Sequence, residues 1–597
     1  MAANLHDLPS APVVPDGGSF LLRPVGDARL HAAEAFTDEQ RQYYQTCRQF
    51  VLREVVPNAA RIESKDLPFL KELLRKAGEL GLLMIEIPEE YGGLNLDVTT
   101  AMLVSEAATL LGSWSVTMGA HTGIGTLPIV YFGTDAQKRK YLPKLATAEW
   151  VAAYALTESG SGSDALGAKT RADLSKDGKS YVLNGSKQFI TNAGMADVFI
   201  VFAKVNGDKF TAFIVERGTP GFTIGPEEHK MGIRGSSTCP LTFEECAVPV
   251  ENVLGDIGKG HKIAFNILNL GRLKLGVGSV GGSRGAIGVS ARYAKERRQF
   301  GKPIDEFGLI RDKLANMAAA TYALESMAYR TTGLIDARLQ QLSEAARRDR
   351  DKVILAVEEY SIESSILKVM GSETLAMCID EAVQIHGGYG FIQGYDVERS
   401  YRDQRINRIY EGTNEINRML VTGMLLKRAA KGQLPLLEAV AAIDEAPPAS
   451  PPGSNGPLDA ERGAAEGLKR MALLALKVAV EKFGVAIEDQ QTVLAAIADV
   501  VGEAYALDSA VARTLQFDPN SRLRLALCRL LAFGAVPRAQ ARARFALCAS
   551  ADGAELQKEL EHLDNFNVYP PINPAAEGEI VAKAVLDAGD YPLSSEG

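Results

Sequence analysis

The chain has 597 residues, too many for one hydrophobic core, so several domains are expected. It is 46% hydrophobic and 23% charged, an ordinary globular composition, and its net charge of -9 argues against a dedicated nucleic-acid binder. Cys47, Cys239, Cys246, Cys378, Cys528 and Cys548 lack metal-ligand or redox-pair spacing, so no metal site is expected and the thiols suit a reducing, cytoplasmic setting. No uncharged apolar run reaches membrane-spanning length, and neither a signal-peptide core nor a transit-peptide composition opens the chain.

Residues 1–36 read as an irregular arm, with Pro9, Pro12, Pro15, Gly17 and Gly18. Thr37 to Gln40 form a capping-box pattern, after which Tyr44, Cys47, Phe50 and Val51 share a helical face as far as Pro57. The helical style continues to about residue 150, giving an α-helical domain over 37–150. At Val151 the texture changes. Strand-like runs at 198–202 and 210–215 alternate with three hairpin signals, Asp177-Gly178, Asn184-Gly185 and Asn206-Gly207. Residues 151–255 therefore read as a middle antiparallel β domain. Helical spacing returns over 256–430, a stretch of linker composition covers 431–460 with its prolines between Asp444 and Pro457, and 461–597 is an Ala- and Leu-rich helical extension.

Two glycine patterns compete for a functional reading. Gly276, Gly278 and Gly281 match the dinucleotide fingerprint, and Gly281, Ser283 and Gly285 match a nucleophile elbow. Both need a preceding strand, whereas Phe265 to Leu275 reads as helix. Close helix approach explains the glycines better. In the extension, Arg522, Arg524, Arg529, Arg538, Arg542 and Arg544 lie between Asp518 and Asp552 with no acidic residue among them. This segment admits two readings: peripheral attachment to an anionic membrane, or a core helix whose arginines reach acidic neighbours.

The loop Arg408 to Glu415 precedes a helix marked by Ile416, Met419, Leu420, Met424 and Leu425. Thr413 suits the N-cap and Glu415 the first turn. Glu411 therefore projects just ahead of a helix start, with Gly412 giving room beside it. It could act as a general base or be a solvated turn residue, and the loop alone leaves both open. Tyr154 to Asp164 is rich in glycine and hydroxyl groups, the chemistry of a turn that approaches a phosphate or a planar cofactor, and also that of a plain β-turn.

Five blocks in order decide between these readings: Thr157 to Asp164, Phe189-Ile190-Thr191, Arg297 to Gly301, Gln384 to Gly390, and Tyr410-Glu411-Gly412. Together they resemble the acyl-CoA dehydrogenase family over most of 37–430. Ala120-His121, Lys230 to Arg234 and Ile267-Leu268-Asn269 resemble its very-long-chain type, as does the helical extension. The resemblance implies a mainly α fold: an α domain, a middle antiparallel β domain and a four-helix bundle, plus the extra C-terminal helical domain. It implies FAD, an acyl-CoA substrate, an electron-transfer flavoprotein as acceptor, and a homodimer.

Residue by residue, the resemblance assigns Leu156, Thr157 and Ser163 to the flavin and nearby acyl-CoA, and Phe189 and Thr191 to the flanks of the isoalloxazine. Arg297, Phe300, Gln384, Gly387 and Gly388 would hold the neighbouring subunit's FAD, while Thr413 and Glu415 lie beside the flavin diphosphate. Asn269 and Arg272 would contact the CoA part, with Gly412 and Ser163 also on the substrate. Glu411 would remove the α-proton as a hydride leaves the β-carbon, its own N–H helping to hold the thioester oxygen. Gly271 stands where some relatives carry the base, which leaves Glu411 as the candidate. Ser159 replaces a frequent proline, Phe189 a frequent tryptophan, and Gly308 a frequent glutamine. An acyl-CoA oxidase and a non-catalytic protein on the same fold are the alternatives. Gly119, Ala120, Gly123 and Gly125 predict room for a long acyl chain.

Overall fold

A computed structural model of the chain describes residues 14–347, 349–446, 456–567 and 569–593. Pro9, Pro12 and the proline-rich 447–455 lie outside them. Helix Asp38–Phe50 starts on the expected capping box, Thr37 accepting from the Gln40 N–H while Gln40 reaches back to Thr37. A π-helical segment, Val51–Val55, carries it on toward Pro57. A second π-helical segment, Ala120–Gly125, ends the helix Gly112–Gly119 and abuts the sheet. His121 ties the two together: its ring accepts from the Ala152 N–H at 3.1 Å, and Nε2 lies 2.9 Å from Leu145 O. Burial pushes its pKa down to about 4, so it stays neutral.

The sheet lies wholly between Ala152 and Leu254. Its strands are β1 Ala152–Ala155, β2 Arg171–Leu174, β3 Ser180–Thr191, β4 Val198–Val205, β5 Lys209–Glu216, β6 Phe222–Ile224, β7 Thr238–Pro249 and β8 Val253–Leu254. Their order is β6-β7-β3-β2-β4-β5-β8, with β1 beside β4. Pairing is mostly antiparallel, as expected, but β1 and β2 both run parallel to β4. Asn206-Gly207 makes the β4–β5 turn, both residues at positive φ.

Asn184-Gly185 does not turn the chain. It sits inside β3, at a register shift against β7, and Asn184 exchanges two 2.9 Å hydrogen bonds with Glu245. A side chain on Gly185 would run into Thr170, so this glycine marks a bulge at a close approach.

The four-helix bundle consists of Gly260–Glu296, Gly308–Gln340, Ser361–His386 and Asn414–Ala430. The glycine run at 276–285 lies wholly within the first of these. A methyl group on Gly276 would meet Leu367 Cβ at 2.8 Å, and one on Gly281 would collide with Glu106 O. Close helix packing is thus the role of Gly276 and Gly281, and what leads into the run is helix rather than a strand and a tight turn.

The extension is built from Asp459–Phe483, Gln491–Phe517, Arg522–Ser550, Gly553–Asn565 and Pro574–Ala588. It joins the bundle through buried pairs: Tyr322 to Thr514 at 2.7 Å, Thr331 to Tyr505 at 2.8 Å and Arg330 to Asp508 at 2.7 Å. The described part of the arm, residues 14–36, holds two short 3-10 helices, Ser19–Leu21 and Ala33–Ala35, and Phe20, Leu21 and Leu30 are buried. Its backbone N–H groups donate to Glu363 from Gly18, to Glu466 from Val25 and to Gln516 from Leu30. Five of the six basic residues of Arg522–Ser550 meet carboxylates: Arg524 on Glu34, Arg529 on Glu577, Arg538 on Glu503, Arg542 on Asp499 and Arg544 on Asp564. Their charge is spent within the fold, as the core-helix reading requires. Among the described residues no helix is long and apolar enough to cross a membrane.

Candidate active site

Glu411 sits at φ 59, a conformation non-glycine residues rarely adopt, and Gly412 follows at φ 77. The strain is held by bonds to the loop carbonyls. Arg272 Nε donates to Glu411 O at 3.2 Å, and Asn417 Nδ2 donates to the carbonyls of Glu411, Gly412 and Thr413 at 3.3, 2.9 and 3.0 Å. Thr413 caps the following helix, accepting from the Ile416 N–H at 3.3 Å. The Glu411 N–H has no acceptor among the described residues and stays available to a ligand.

The Glu411 carboxylate points at the first bundle helix, where a side chain on Gly271 would collide with it. Its Oε2 is buried with no hydrogen-bond partner. Burial pushes its pKa up to about 7, against the opposing pull of Arg272 and Lys368. Lys368 is itself lowered to about 8, chiefly by burial, and donates to Asn414 at 2.7 Å. A carboxyl group raised in this way stabilises the fold below its unfolded pKa and loses that contribution as pH rises through about 7. The site therefore holds a strained, poorly solvated base near neutrality, an arrangement common at catalytic centres.

Glu411 opens on a cavity of ≈ 550 Å³, which Thr191, Gly271, Gly119, Ala120 and Gly123 also line. The cavity continues along the first bundle helix past Gly278, Gly282 and Gly285. Gly119 has nothing within 4 Å of the place a Cβ would take, so it faces open space. Gly125 does not line the cavity; a methyl group there would stand 2.7 Å from Ala152 Cβ, so it serves packing against β1. Lys274 and Glu86 place an ion pair in the cavity wall.

On the sheet side, a register shift in β3 between Lys187 and Ile190 turns Phe189 outward, at φ 60 and 58% exposed, next to Thr191. Thr157 O accepts from the Gln188 N–H at 2.9 Å, which brings the Leu156–Ser163 turn against the same strand. Glu158 fastens that turn, accepting from Lys169 N, Thr170 N, Thr170 Oγ1 and the fully buried Lys187. Ser163 is exposed beside Gly160 and Gly162, and both glycines face open space.

Asn269 and Arg272, about one turn apart on either side of Gly271, are buried and paired at 2.8 Å. A separate surface cluster gathers Arg297, whose guanidinium lies 5.4 Å from the Tyr389 ring, with exposed Gln384, Gly387 and Gly388. Phe300, at φ 50 and 93% exposed, opens the two-residue turn Phe300-Gly301 between the paired Arg298–Gln299 and Lys302–Pro303. The sequence-assigned residues thus fall into two groups, one around Glu411, Thr191 and Thr413, and one on the outer surface around Arg297. Sequence reasoning missed Lys368 and the Glu158–Lys187 pair, whose partners lie 46 and 29 residues away, beyond any local signal. It also missed Asn417, although the carbonyls that residue holds are only four to six residues before it.

Models of the acyl-CoA dehydrogenase N-terminal, middle and C-terminal domains match residues 37–149, 153–246 and 258–426. A second C-terminal domain model of the family matches 467–564, in the extension. The "Probable acyl-CoA dehydrogenase" of Bacillus subtilis (strain 168) is 47% identical over 589 residues, covering 97% of this chain and 99% of that protein. The human mitochondrial very long-chain specific acyl-CoA dehydrogenase is 45% identical over 354 residues, 58% of this chain and 51% of its own. The crystal structure of an acyl-CoA dehydrogenase complexed with FAD from Bacillus anthracis superposes with a TM-score of 0.94 at 46% identity, covering 97% of this chain and 100% of that one.

The chain belongs to the acyl-CoA dehydrogenase family of FAD-dependent oxidoreductases. The residues present fit that cofactor. The Tyr154 hydroxyl, buried near the Glu411 charge, has no partner, and a side chain at Gly160, Gly162, Gly387 or Gly388 would enter open space.

Proposed function

We propose that this protein dehydrogenates long-chain acyl-CoA thioesters to trans-2-enoyl-CoA in fatty acid β-oxidation, with Glu411 as the base. The observation that carries this reading is the unpartnered Glu411 carboxylate facing the Gly271 gap, at the head of a cavity that continues along a glycine-lined helix. FAD, held by Leu156, Thr157, Ser163, Phe189, Thr191, Thr413 and Glu415, supplies the electron acceptor when bound.

The protein residues do the rest. Asn269 and Arg272 meet the CoA side, and Arg272 with Asn417 fixes the loop so that the Glu411 N–H can donate to the thioester oxygen. The acyl chain excludes water from the carboxylate, which takes the α-proton. Anaerobic titration with straight-chain acyl-CoAs of increasing length should bleach the flavin most completely with long chains. Best response to butyryl-CoA would refute the chain-length assignment, and fast turnover with air alone would make the enzyme an oxidase rather than a donor to an electron-transfer flavoprotein.

Gly119→Leu tests the cavity directly. Each methylene excluded from it forfeits ~0.8 kcal/mol, so the optimum should shift to shorter chains while activity on them is kept. An unchanged optimum would place the chain elsewhere. The kcat/KM should also depend on pH. A base must be ionised to act, so activity should rise through a pKa of about 7 and level off above it. A flat profile from pH 5.5 to 8.5 would remove Glu411 from the rate.

The exposed cluster of Arg297, Phe300, Gln384, Gly387 and Gly388 supports a homodimer in which each subunit completes its neighbour's FAD site. Light scattering of the yellow protein should give a dimer; a flavin-loaded monomer would contradict the shared site. Five buried free thiols support a cytoplasmic setting. With its arginines paired, the extension should bind anionic liposomes no better than neutral ones at low salt; salt-sensitive anionic binding would instead support peripheral membrane contact.

A further inference from the structure

The cavity beyond Glu411 is not uniformly apolar. Lys274 Nζ pairs with Glu86 Oε2 at 2.7 Å, with side chains 11% and 9% exposed, and both residues line the cavity together with Ile87, Met118 and Leu275. Gly123 lies beside this lysine, where a Cβ would reach ordinary contact with Lys274 Cδ at 3.5 Å. Removing an ion pair from water is costly unless every remaining lone pair is satisfied. Here one is not. Glu86 Oε1 is buried with no hydrogen-bond partner among the described residues.

Position gives the orphan acceptor its meaning. Lys274 lies three residues beyond Gly271, a rise of about 4.5 Å along the helix from the point faced by Glu411. Gly278 and Gly282 line the cavity further on. A chain with its reacting carbons at Glu411 therefore passes Glu86 and Lys274 before it reaches the glycine face. A strut between the α domain and the bundle would need only Oε2. The free oxygen calls for a donor, and a plain hydrocarbon chain has none.

We propose that Glu86 and Lys274 form a polar subsite for acyl chains that carry a mid-chain hydroxyl group, which donates to Glu86 Oε1. The inference rests on the acyl-CoA reading above and specifies the substituent. Helical rise places the hydroxyl roughly five to eight carbons from the thioester.

The test uses holoenzyme and pairs of trans-2-enoyl-CoAs of one chain length, with and without a hydroxyl at successive carbons. Binding is measured by calorimetry, so no turnover is needed. In an apolar cavity the hydroxyl should weaken binding at every position, by about tenfold or more. The subsite predicts instead that, within one window of positions, the hydroxylated ligand binds at least as tightly as its plain partner. Replacing the pair together by Glu86→Leu and Lys274→Met leaves no lone buried charge, and should shift the ratio roughly ten- to a hundredfold toward the plain chain.

Should that variant fail to load FAD, Glu86→Gln is the smaller change and should lower the ratio by about tenfold. A wild-type preference for the plain chain at all positions overturns the proposal, as does an unchanged ratio in the variants. A hydroxyl-dependent ratio that persists while no saturated acyl-CoA bleaches the flavin would support the subsite and overturn the dehydrogenase reading. No binding of either enoyl-CoA would overturn both.

Discussion

Glu411→Gln is expected to purify yellow, bind acyl-CoA and turn over at least roughly 10²–10⁴-fold more slowly than wild type. The substitution keeps shape. Arg272 and Asn417 hold the loop through its carbonyl oxygens rather than through the carboxylate, so the φ 59 conformation should survive. The loss should fall on kcat, because the carboxylate is free in the ground state and acts only on the leaving α-proton. Near-normal turnover in a flavin-loaded Gln variant would sink the assignment. The pH dependence offers a second check, since the limb near pH 7 should vanish with the carboxylate.

The second large effect concerns stability. Arg513 is fully buried, 4.7 Å from the Tyr322 ring, and is held by Glu34 of the arm at 2.9 Å and by Glu325 of the bundle at 2.9 Å. Glu325 also meets Arg284 and accepts from Tyr591 at 3.1 Å, while Arg284 reaches Glu106 of the α domain. Arm, α domain, bundle and extension thus share one buried ionic network. Arg513→Leu leaves Glu34, Glu106 and Glu325 with only Arg284 and Arg524, one positive charge short, and should cost about 3–5 kcal/mol. Thermal unfolding should show an apparent Tm lower by about 2–4 °C, since so long a chain unfolds with a large entropy. A shift within about 1 °C would mean that the network adds little, and a loss of flavin without destabilisation would point to a local role at the cofactor instead.

How far the sequence could be read depended on the reach of each signal. Thr37-Gln40 and Thr413 announce helix starts because capping is settled within four residues, and both caps form. Asn206-Gly207 turns as expected, while Asn184-Gly185 does not. The dipeptide reports only that the backbone can bend there; whether it turns the chain or bulges a strand is decided by Glu245, on β7. Glu411 was indistinguishable from a turn glutamate in its own loop, and four other blocks were needed to single it out. Its pKa depends on Arg272 and Lys368, which local sequence cannot place beside it. The Pro-rich arm reads as irregular, and that reading gives no sign that Phe20, Leu21 and Leu30 of its described part are buried. Irregularity is a local property, whereas burial requires the extension to be in place.

The arm also sets a timetable for synthesis. Val25, Leu30 and Glu34 leave the ribosome first, yet their partners Glu466, Gln516 and Arg513 follow 441, 486 and 479 residues later. At about 5–20 residues per second, the arm waits roughly 20–100 s for its docking site. During that interval Phe20 lacks the Tyr505 ring it packs against, so the nascent chain displays an apolar segment that chaperones can hold. The arm should gain its protection from proteolysis only once the helices Asp459–Phe483 and Gln491–Phe517 are released.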